Sequence, residues 1–416
     1  MTITEKILAA HADLAEVRPG QIISAKVDMI MANDMAGVIA IDEFHKIKGA
    51  KIFDPQKVVI VLDHCTPGRN IADEAFAKKV REFAIEHHTL FYEAGRGGIE
   101  HVLLPEQGLA RPGQLVIGAD SHTCTYGALG LFATGVGSTD TAVAWALGTV
   151  WLKVPPTMRI ILNGKKRPWV SGKDIILYLL GHLGVDGARY RALEFYGETM
   201  NELSVAERLT MANMVIEAGA KNGIFAVDSQ TEEYVKATSD QPYMIYRSDP
   251  DAEYVQTLEF DLEDIEPQVA FPHLPSNTKP ISQVGQIVVD QVVIGSCTNG
   301  RIEDLRIAAN LLKGKKIYPR VRCIVIPGSQ KVYYEALKEG LIDIFIEAEC
   351  VVSTPMCGPC GGGDMGTLCE GERCLSTTNR NFVGRMGHAK SEVYLASPAV
   401  AAATALCGYI AGPDQI

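Results

Sequence analysis

The sequence predicts an α/β protein whose sheets are mostly parallel. Two observations carry this reading. Short β-branched runs bounded by turn residues recur at 57–62, 113–118, 159–162, 288–294 and 321–326, the pattern of strands buried on both faces. Between them lie amphipathic stretches at 73–87, 205–218, 303–312 and 333–339, so strands alternate with helices. The chain opens on an amphipathic helix: its first residues carry Glu5 and lack the apolar core of a secretory leader. Residues 393–413 hold no charge, yet Ser397 at an N-cap and Pro398 at the first helical position predict a buried core helix, and Gly408 and Gly412 interrupt any membrane span. Val154-Pro155-Pro156-Thr157 breaks the pattern after a helix of small residues, and residues 266–280 hold four prolines without periodicity. Taken as boundaries, these give domains at 1–153, 154–270 and 281–416.

Composition narrows the class. At roughly 150 residues per domain, a chain of 416 residues holds two to four domains, and 47% apolar with 21% charged residues supports a large core. The net charge is −11, and no run of five Lys or Arg occurs, so a phosphate backbone is a poor partner. With no leader and no span, the expected location is the cytoplasm, where ten cysteines read as metal ligands or redox groups instead of disulfides.

The strongest local signal is Met356-Cys357-Gly358-Pro359-Cys360-Gly361-Gly362-Gly363. A C-x-x-C places two thiolates on one metal, one cluster edge or one dithiol. In a thioredoxin-like site a helix begins at the motif, and three glycines after Cys360 oppose that at about 1 kcal/mol each. A zinc site would recruit Cys369 and Cys374, which do not form a second C-x-x-C. The third reading adds Cys297, in Gly295-Ser296-Cys297-Thr298-Asn299-Gly300 directly after an apolar run. A strand's carboxyl end is where parallel sheets place ligands. Cys297, Cys357 and Cys360 then hold a cubane iron-sulfur cluster that wants four ligands, so one iron stays open as a Lewis acid.

A second constellation is rich in histidine. Asp63-His64 follows one predicted strand, His101 follows Gly95-Arg96-Gly97-Gly98, and Asp120-Ser121-His122 follows the strand ending near Ile117. Three histidines past strand ends, two of them beside carboxylates, suit acid–base work near neutral pH. Residues 127–140 are glycine-rich but match neither a dinucleotide fingerprint nor a Walker sequence, and read as a loop whose amides face a substrate carboxylate. Arg380 and Arg385, five apart in a polar turn, can each fork onto a carboxylate.

With Asp63-His64, Asp120-Ser121-His122-Thr123, Gly295-Ser296-Cys297-Thr298-Asn299, Cys357-Gly358-Pro359-Cys360 and Asn379-Arg380-Asn381-Phe382-Val383-Gly384-Arg385 in this order, the chain resembles the aconitase superfamily over essentially its whole length. The resemblance implies three α/β/α domains with mostly parallel sheets around a central [4Fe-4S] cluster, held by Cys297, Cys357 and Cys360 with one open iron. It implies catalytic pairs of Asp63 with His64, Asp120 with His101, and Glu194 with His122. Ser121, Asn379, Arg380 and Arg385 would bind a small dicarboxylate or tricarboxylate. The implied activity is a hydro-lyase that isomerises a malate-type acid by dehydration and rehydration. The first expected substrate is 2-isopropylmalate; homocitrate and 2,3-dimethylmalate are alternatives. A role as an iron-responsive RNA binder, which some relatives take, is opposed by the acidic balance. The swivelling domain that carries a serine base in full-length relatives is not seen here, so it is expected on a separate small subunit. At 32–38, Asp34 is retained while Asn33, Ala36 and Val38 depart from the family pattern.

Overall fold

Strand Val58–Val61 is four consecutive β-branched residues, all buried, and only a strand covered on both faces accommodates such a run. In the computed structural model, which describes residues 1–361 and 365–416, it lies inside a five-stranded sheet ordered Leu90–Tyr92, Val58–Val61, Met29–Asn33, Leu115–Gly118, Phe132–Gly135, with every pairing parallel. Helices Ala36–Lys46, Ile71–His87 and Ser138–Leu147 contribute Phe44, Phe83 and Trp145 to the core of this part. Phe83 stacks on Trp145 with centroids 5.1 Å apart and meets Phe44 edge-on at 5.6 Å. Asn70 starts the middle helix by accepting the Asp73 N–H at 3.0 Å, and acidic Asp73 and Glu74 occupy its first turn. The opening helix, Ile3–His11, begins at a Thr2/Glu5 capping box.

The chain divides into two compact units, residues 1–163 with 188–260 and residues 164–187 with 261–416. Residues 154–270, read from sequence as one segment, are therefore shared between them. The first unit adds a second sheet ordered Asn222–Phe225, Ala192–Tyr196, Thr157–Asn163, Gln256–Asp261, whose first three strands are parallel. An antiparallel pair, Ile22–Lys26 with Thr149–Lys153, completes its strands.

The second unit is built on a seven-stranded sheet ordered Thr278–Pro280, Gln268–Ala270, Glu392–Leu395, Arg373–Ser376, Gln291–Gly295, Arg322–Ile326, Val351–Val352. The last five strands are parallel and the first two antiparallel. The uncharged stretch forms the expected buried helix: Ser397 stands at the N-cap position of Pro398–Cys407 without a side-chain bond to the helix, the first eight residues are buried, and the helix ends at left-handed Gly408. Among the described residues no helix is long and apolar enough to cross a membrane.

The glycine-rich segment at 127–140 is not an open loop. It holds the end of a 3-10 helix, Ser121–Leu129, then edge strand Phe132–Gly135, then the start of helix Ser138–Leu147. The Thr123 and Thr125 hydroxyls close the 3-10 turns onto the Asp120 and His122 carbonyls at 2.7 and 2.6 Å. Such local side-chain bonds are not visible in glycine spacing.

Candidate active site

The carboxyl edge of the five-stranded sheet gathers the first unit's chemistry, as expected for parallel strands. Asp34, one residue past strand Met29–Asn33, accepts N–H bonds from Asp63 (3.2 Å), His64 (2.9 Å) and Cys65 (2.7 Å). That clamp fixes the turn presenting His64, a role the retained Asp34 did not announce in the sequence. His64 Nδ1 donates to Asp63 Oδ1 at 2.6 Å; the Asp63 side chain is fully buried and that of His64 is 13% exposed. Burial opposes charge on this imidazole, but the carboxylate of Asp63 overrides it and holds the pKa well above the usual value.

His101, on helix Glu100–Glu106, donates from Nε2 to Asp120 Oδ1 at 2.9 Å, and its Nδ1 lies 3.1 Å from the Tyr126 hydroxyl. Burial lowers the His101 pKa, so the ring is neutral. Asp120 is half-buried; desolvation opposes its charge, yet the hydrogen bonds from His101 and His122 hold it well below the usual carboxylate range. Asn33, one of the departures from the family pattern, turns its Oδ1 to the Met35 and Ala36 N–H groups at 3.0 and 2.9 Å and donates from Nδ2 to Glu100 at 3.1 Å. Ser121 is half-buried, its hydroxyl 3.4 Å from His122 Nδ1.

Two of the three expected pairs are present and the third is not. His122 Nε2 donates to Glu217 Oε1 at 2.9 Å. Glu194, on strand Ala192–Tyr196, instead accepts hydrogen bonds from the hydroxyls of Ser248, Tyr196 and Tyr254. These donors occupy its carboxylate in a buried pocket, and burial raises its pKa. No spacing in the sequence singles out Glu217: it lies in the 3-10 extension Val215–Ala218 of helix Val205–Met214, which also carries Asn213, a donor to Thr125 Oγ1 at 2.8 Å. Glu217→Gln is expected to lower kcat about a hundredfold, the lower range for an acid–base group. Glu194→Gln should leave kcat within about twofold and lower thermal stability instead, consistent with losing a buried hydrogen-bond acceptor. Steady-state kinetics and a melting curve on both variants check this.

The second unit carries the thiols. Cys297 lies in a single helical turn, Ser296–Asn299, straight after strand Gln291–Gly295. The turn is tight. Gly295 has φ of +133°, and a Cβ there would lie 2.1 Å from the Ile326 carbonyl oxygen. Thr377 reinforces it, accepting the Gly295 N–H and donating to the Gly295 carbonyl, both at 2.9 Å. Gly295→Ala should therefore yield a chain with less than half the normal bound iron, measured colorimetrically, because the turn must shift to relieve the clash.

Asn379 joins the distant cysteine motifs. Its Nδ2 donates to Cys297 Sγ at 3.3 Å, and Cys360 Sγ donates to its Oδ1 at 3.2 Å. Arg385 reaches Cys360 Sγ at 3.8 Å. Arg380 and Arg385 are half-buried, on the same polar turn as Asn379. Cys357 precedes a 3-10 turn, Gly358–Gly361, and Cys360 lies within it; both are buried and outside any disulfide, as is Cys297. Gly362 and Gly363 of that motif lie outside the described residues. Lys173, fully buried at the start of helix Gly172–Leu183, donates to the Thr377 and Thr378 carbonyls at 2.8 and 2.6 Å and so fixes the chain leading into Asn379. Burial pushes its pKa down to about 7, against the pull of Cys297 and Cys360.

This donor set fits an iron-sulfur cluster. The sulfurs are buried and not disulfide-bonded, the Asn379 amide donates to Cys297 and the Arg385 guanidinium to Cys360, and soft thiolate ligands are what such clusters take. Cys369 is exposed and Cys374 buried on strand Arg373–Ser376.

The aconitase family model (aconitate hydratase) matches residues 5–286 and 277–408. Three curated relatives, each a 3-isopropylmalate dehydratase large subunit, are similar over all of this chain. That of Syntrophus aciditrophicus is 63% identical, with 99% of its length covered. That of Moorella thermoacetica is 61% identical over 99% of its length, and that of Aquifex aeolicus 60% over 98%.

Proposed function

The chain belongs to the aconitase family, and from that premise we propose that it is the large, cluster-bearing subunit of a hydro-lyase interconverting 2-isopropylmalate and 3-isopropylmalate, an activity of leucine biosynthesis in the cytoplasm. The family implies a [4Fe-4S] cluster. Cys297, Cys357 and Cys360 would hold it, and three thiolates would leave one iron open. When bound, that iron supplies Lewis acidity toward a hydroxyl and a carboxylate oxygen. The observation that carries the assignment is Asn379, whose one amide engages Cys297 and Cys360 across 63 residues of sequence, from 297 to 360.

The chain's own groups do the rest. Asn379, Arg380 and Arg385 bind the substrate carboxylates, the guanidiniums forking onto paired oxygens. His64, held in orientation by Asp63, gives its Nε2 proton to the departing hydroxyl, which leaves as water. Asp120, kept ionised by His101 and His122, and His122, oriented by Glu217, hold that water for readdition at the neighbouring carbon; Ser121 binds the substrate beside them. The base that takes the carbon-bound proton is a serine on a separate small subunit, which also shapes the pocket around the alkyl group.

The test is to co-produce the chain with its small subunit, reconstitute anaerobically and compare kcat/KM on 2-isopropylmalate, homocitrate and 2,3-dimethylmalate. Preference for 2-isopropylmalate is expected. Each methylene is worth only about 1–3 kcal/mol in a hydrophobic pocket, so minor turnover of the others agrees with the reading and a reversed order contradicts it.

A further inference from the structure

One buried acid has no part in that scheme. Glu100 opens helix Glu100–Glu106 with a side chain 0% exposed. Its Oε1 accepts one bond, from the Asn33 amide at 3.1 Å, and lies 3.5 Å from His101 Nε2, whose proton goes to Asp120. Its Oε2 is buried with no hydrogen-bond partner. Around it stand Asp63 and His64 on the turn after strand Val58–Val61, Asp120 before the 3-10 helix, and His101 beside it; Tyr126 donates to its carbonyl oxygen at 3.4 Å. One ligand atom each of His64, Glu100 and Asp120 lie within 4.8 Å of one another.

At rest the environment disfavours an ionised Glu100. One neutral amide donor does not offset the removal of a carboxylate from water, and the charges of Asp63 and Asp120 repel it further. His64 is the nearest cation, and its charge is already committed to Asp63 at 2.6 Å. We propose that Glu100 is a neutral carboxylic acid that stores a proton beside His64 and exchanges it during turnover. The direction of its titration agrees: burial first, then the charges of Asp63 and Asp120, push its pKa well above the usual carboxylate value.

The proposal rests on the hydro-lyase reading and extends it. When His64 Nε2 gives its proton to the departing hydroxyl, the Glu100 O–H bond breaks and its proton moves to His64 Nε2, leaving a carboxylate. As water adds back at the adjacent carbon, His64 first returns the borrowed proton to Glu100 and then takes the proton that water releases when its hydroxide bonds to carbon. Both groups end as they began, so one turnover consumes none. Glu100 acts through His64 and does not touch substrate, so it is a positioning and proton-holding residue.

Glu100→Gln keeps the shape and the oxygen that accepts from Asn33 but has no acidic proton to exchange. In the complete enzyme this variant is expected to retain cluster content and KM, to lose about a hundredfold in kcat, and to show an alkaline limb of the kcat–pH profile flatter than that of the parent. An infrared difference spectrum at pH 7, parent minus variant, should contain the carbonyl band of a protonated carboxyl. If that band is missing, or if kcat and its pH profile are unchanged in the variant, the proposal is overturned. If the parent enzyme itself fails to turn over 2-isopropylmalate, the hydro-lyase reading falls and the relay with it. Failure of the variant tests against an active parent overturns the relay alone.

Discussion

Asp63→Asn is expected to lower kcat about a thousandfold, the middle of the range for removing support from a general acid, in a chain that still folds and still binds iron. The carboxylate has two duties. Oδ1 receives the His64 Nδ1 proton at 2.6 Å, and Oδ2 receives the Glu100 N–H at 2.8 Å. An amide meets one of these donors with an oxygen and the other with an NH2 group, so one contact turns repulsive. The charge is lost as well, and burial, which opposes the imidazolium, then prevails. The sign of the pH effect follows. In the parent, His64 stays protonated past neutrality and kcat falls only on the alkaline side. In Asp63→Asn that fall moves to lower pH. Stability shifts in the same sense. A histidine whose folded pKa exceeds its unfolded value of about 6.5 stabilises the fold fully below that value, and the contribution is lost as pH rises through the folded pKa. Parent and variant should therefore differ most in melting temperature on the acid side and converge in base. A kcat–pH profile identical in the two proteins would remove His64 from the role of acid.

Cys360→Ser should abolish turnover and visible colour together. A serine hydroxyl can still donate to Asn379 Oδ1 as Cys360 Sγ does, but it is a hard, neutral ligand where soft thiolate is required. With the ligand set reduced to Cys297 and Cys357, less than about a tenth of the parental iron should remain, since clusters of this type are built on at least three thiolates here. Cys369→Ser is the control. That thiol is exposed, and its loss should leave iron, colour and kcat unchanged, whereas a zinc site recruiting Cys369 would lose its metal. Iron and zinc analysis of the two variants separates these outcomes.

Much of this arrangement was legible in the sequence because the chemistry sits in short segments. Asp63-His64 and Cys357-Gly358-Pro359-Cys360 are contiguous, and Asp63 and Cys297 each come just after a buried apolar strand, so motif and element agree. Asn379, Arg380 and Arg385 share one turn for the same reason. What the sequence hid depends on which way side chains face in three dimensions. Glu194 and Glu217 are both acids in the segment after Thr157, and only the packing of Val205–Met214 and its 3-10 extension on residues 121–129 turns the second toward His122. Asn33 looked like a loss at the substrate side and proves to cap a helix start and hold Glu100. Glu100 itself gave no signal, since an acid beside His101 in a helix is ordinarily solvent-facing. Its burial is a tertiary fact. The glycines of 127–140 misled in the opposite direction, because the hydroxyls of Thr123 and Thr125 close 3-10 turns there and left-handed Gly130 ends that helix.

The most direct test of the account is to follow iron, acid-labile sulfide and isomerisation of 2-isopropylmalate in one anaerobic preparation of the two-subunit enzyme as a chelator withdraws iron. The account predicts about four iron and four sulfide per large subunit at the start, with activity collapsing as the first iron per cluster leaves and returning when ferrous iron is restored. Full activity in a colourless, iron-free preparation would contradict it.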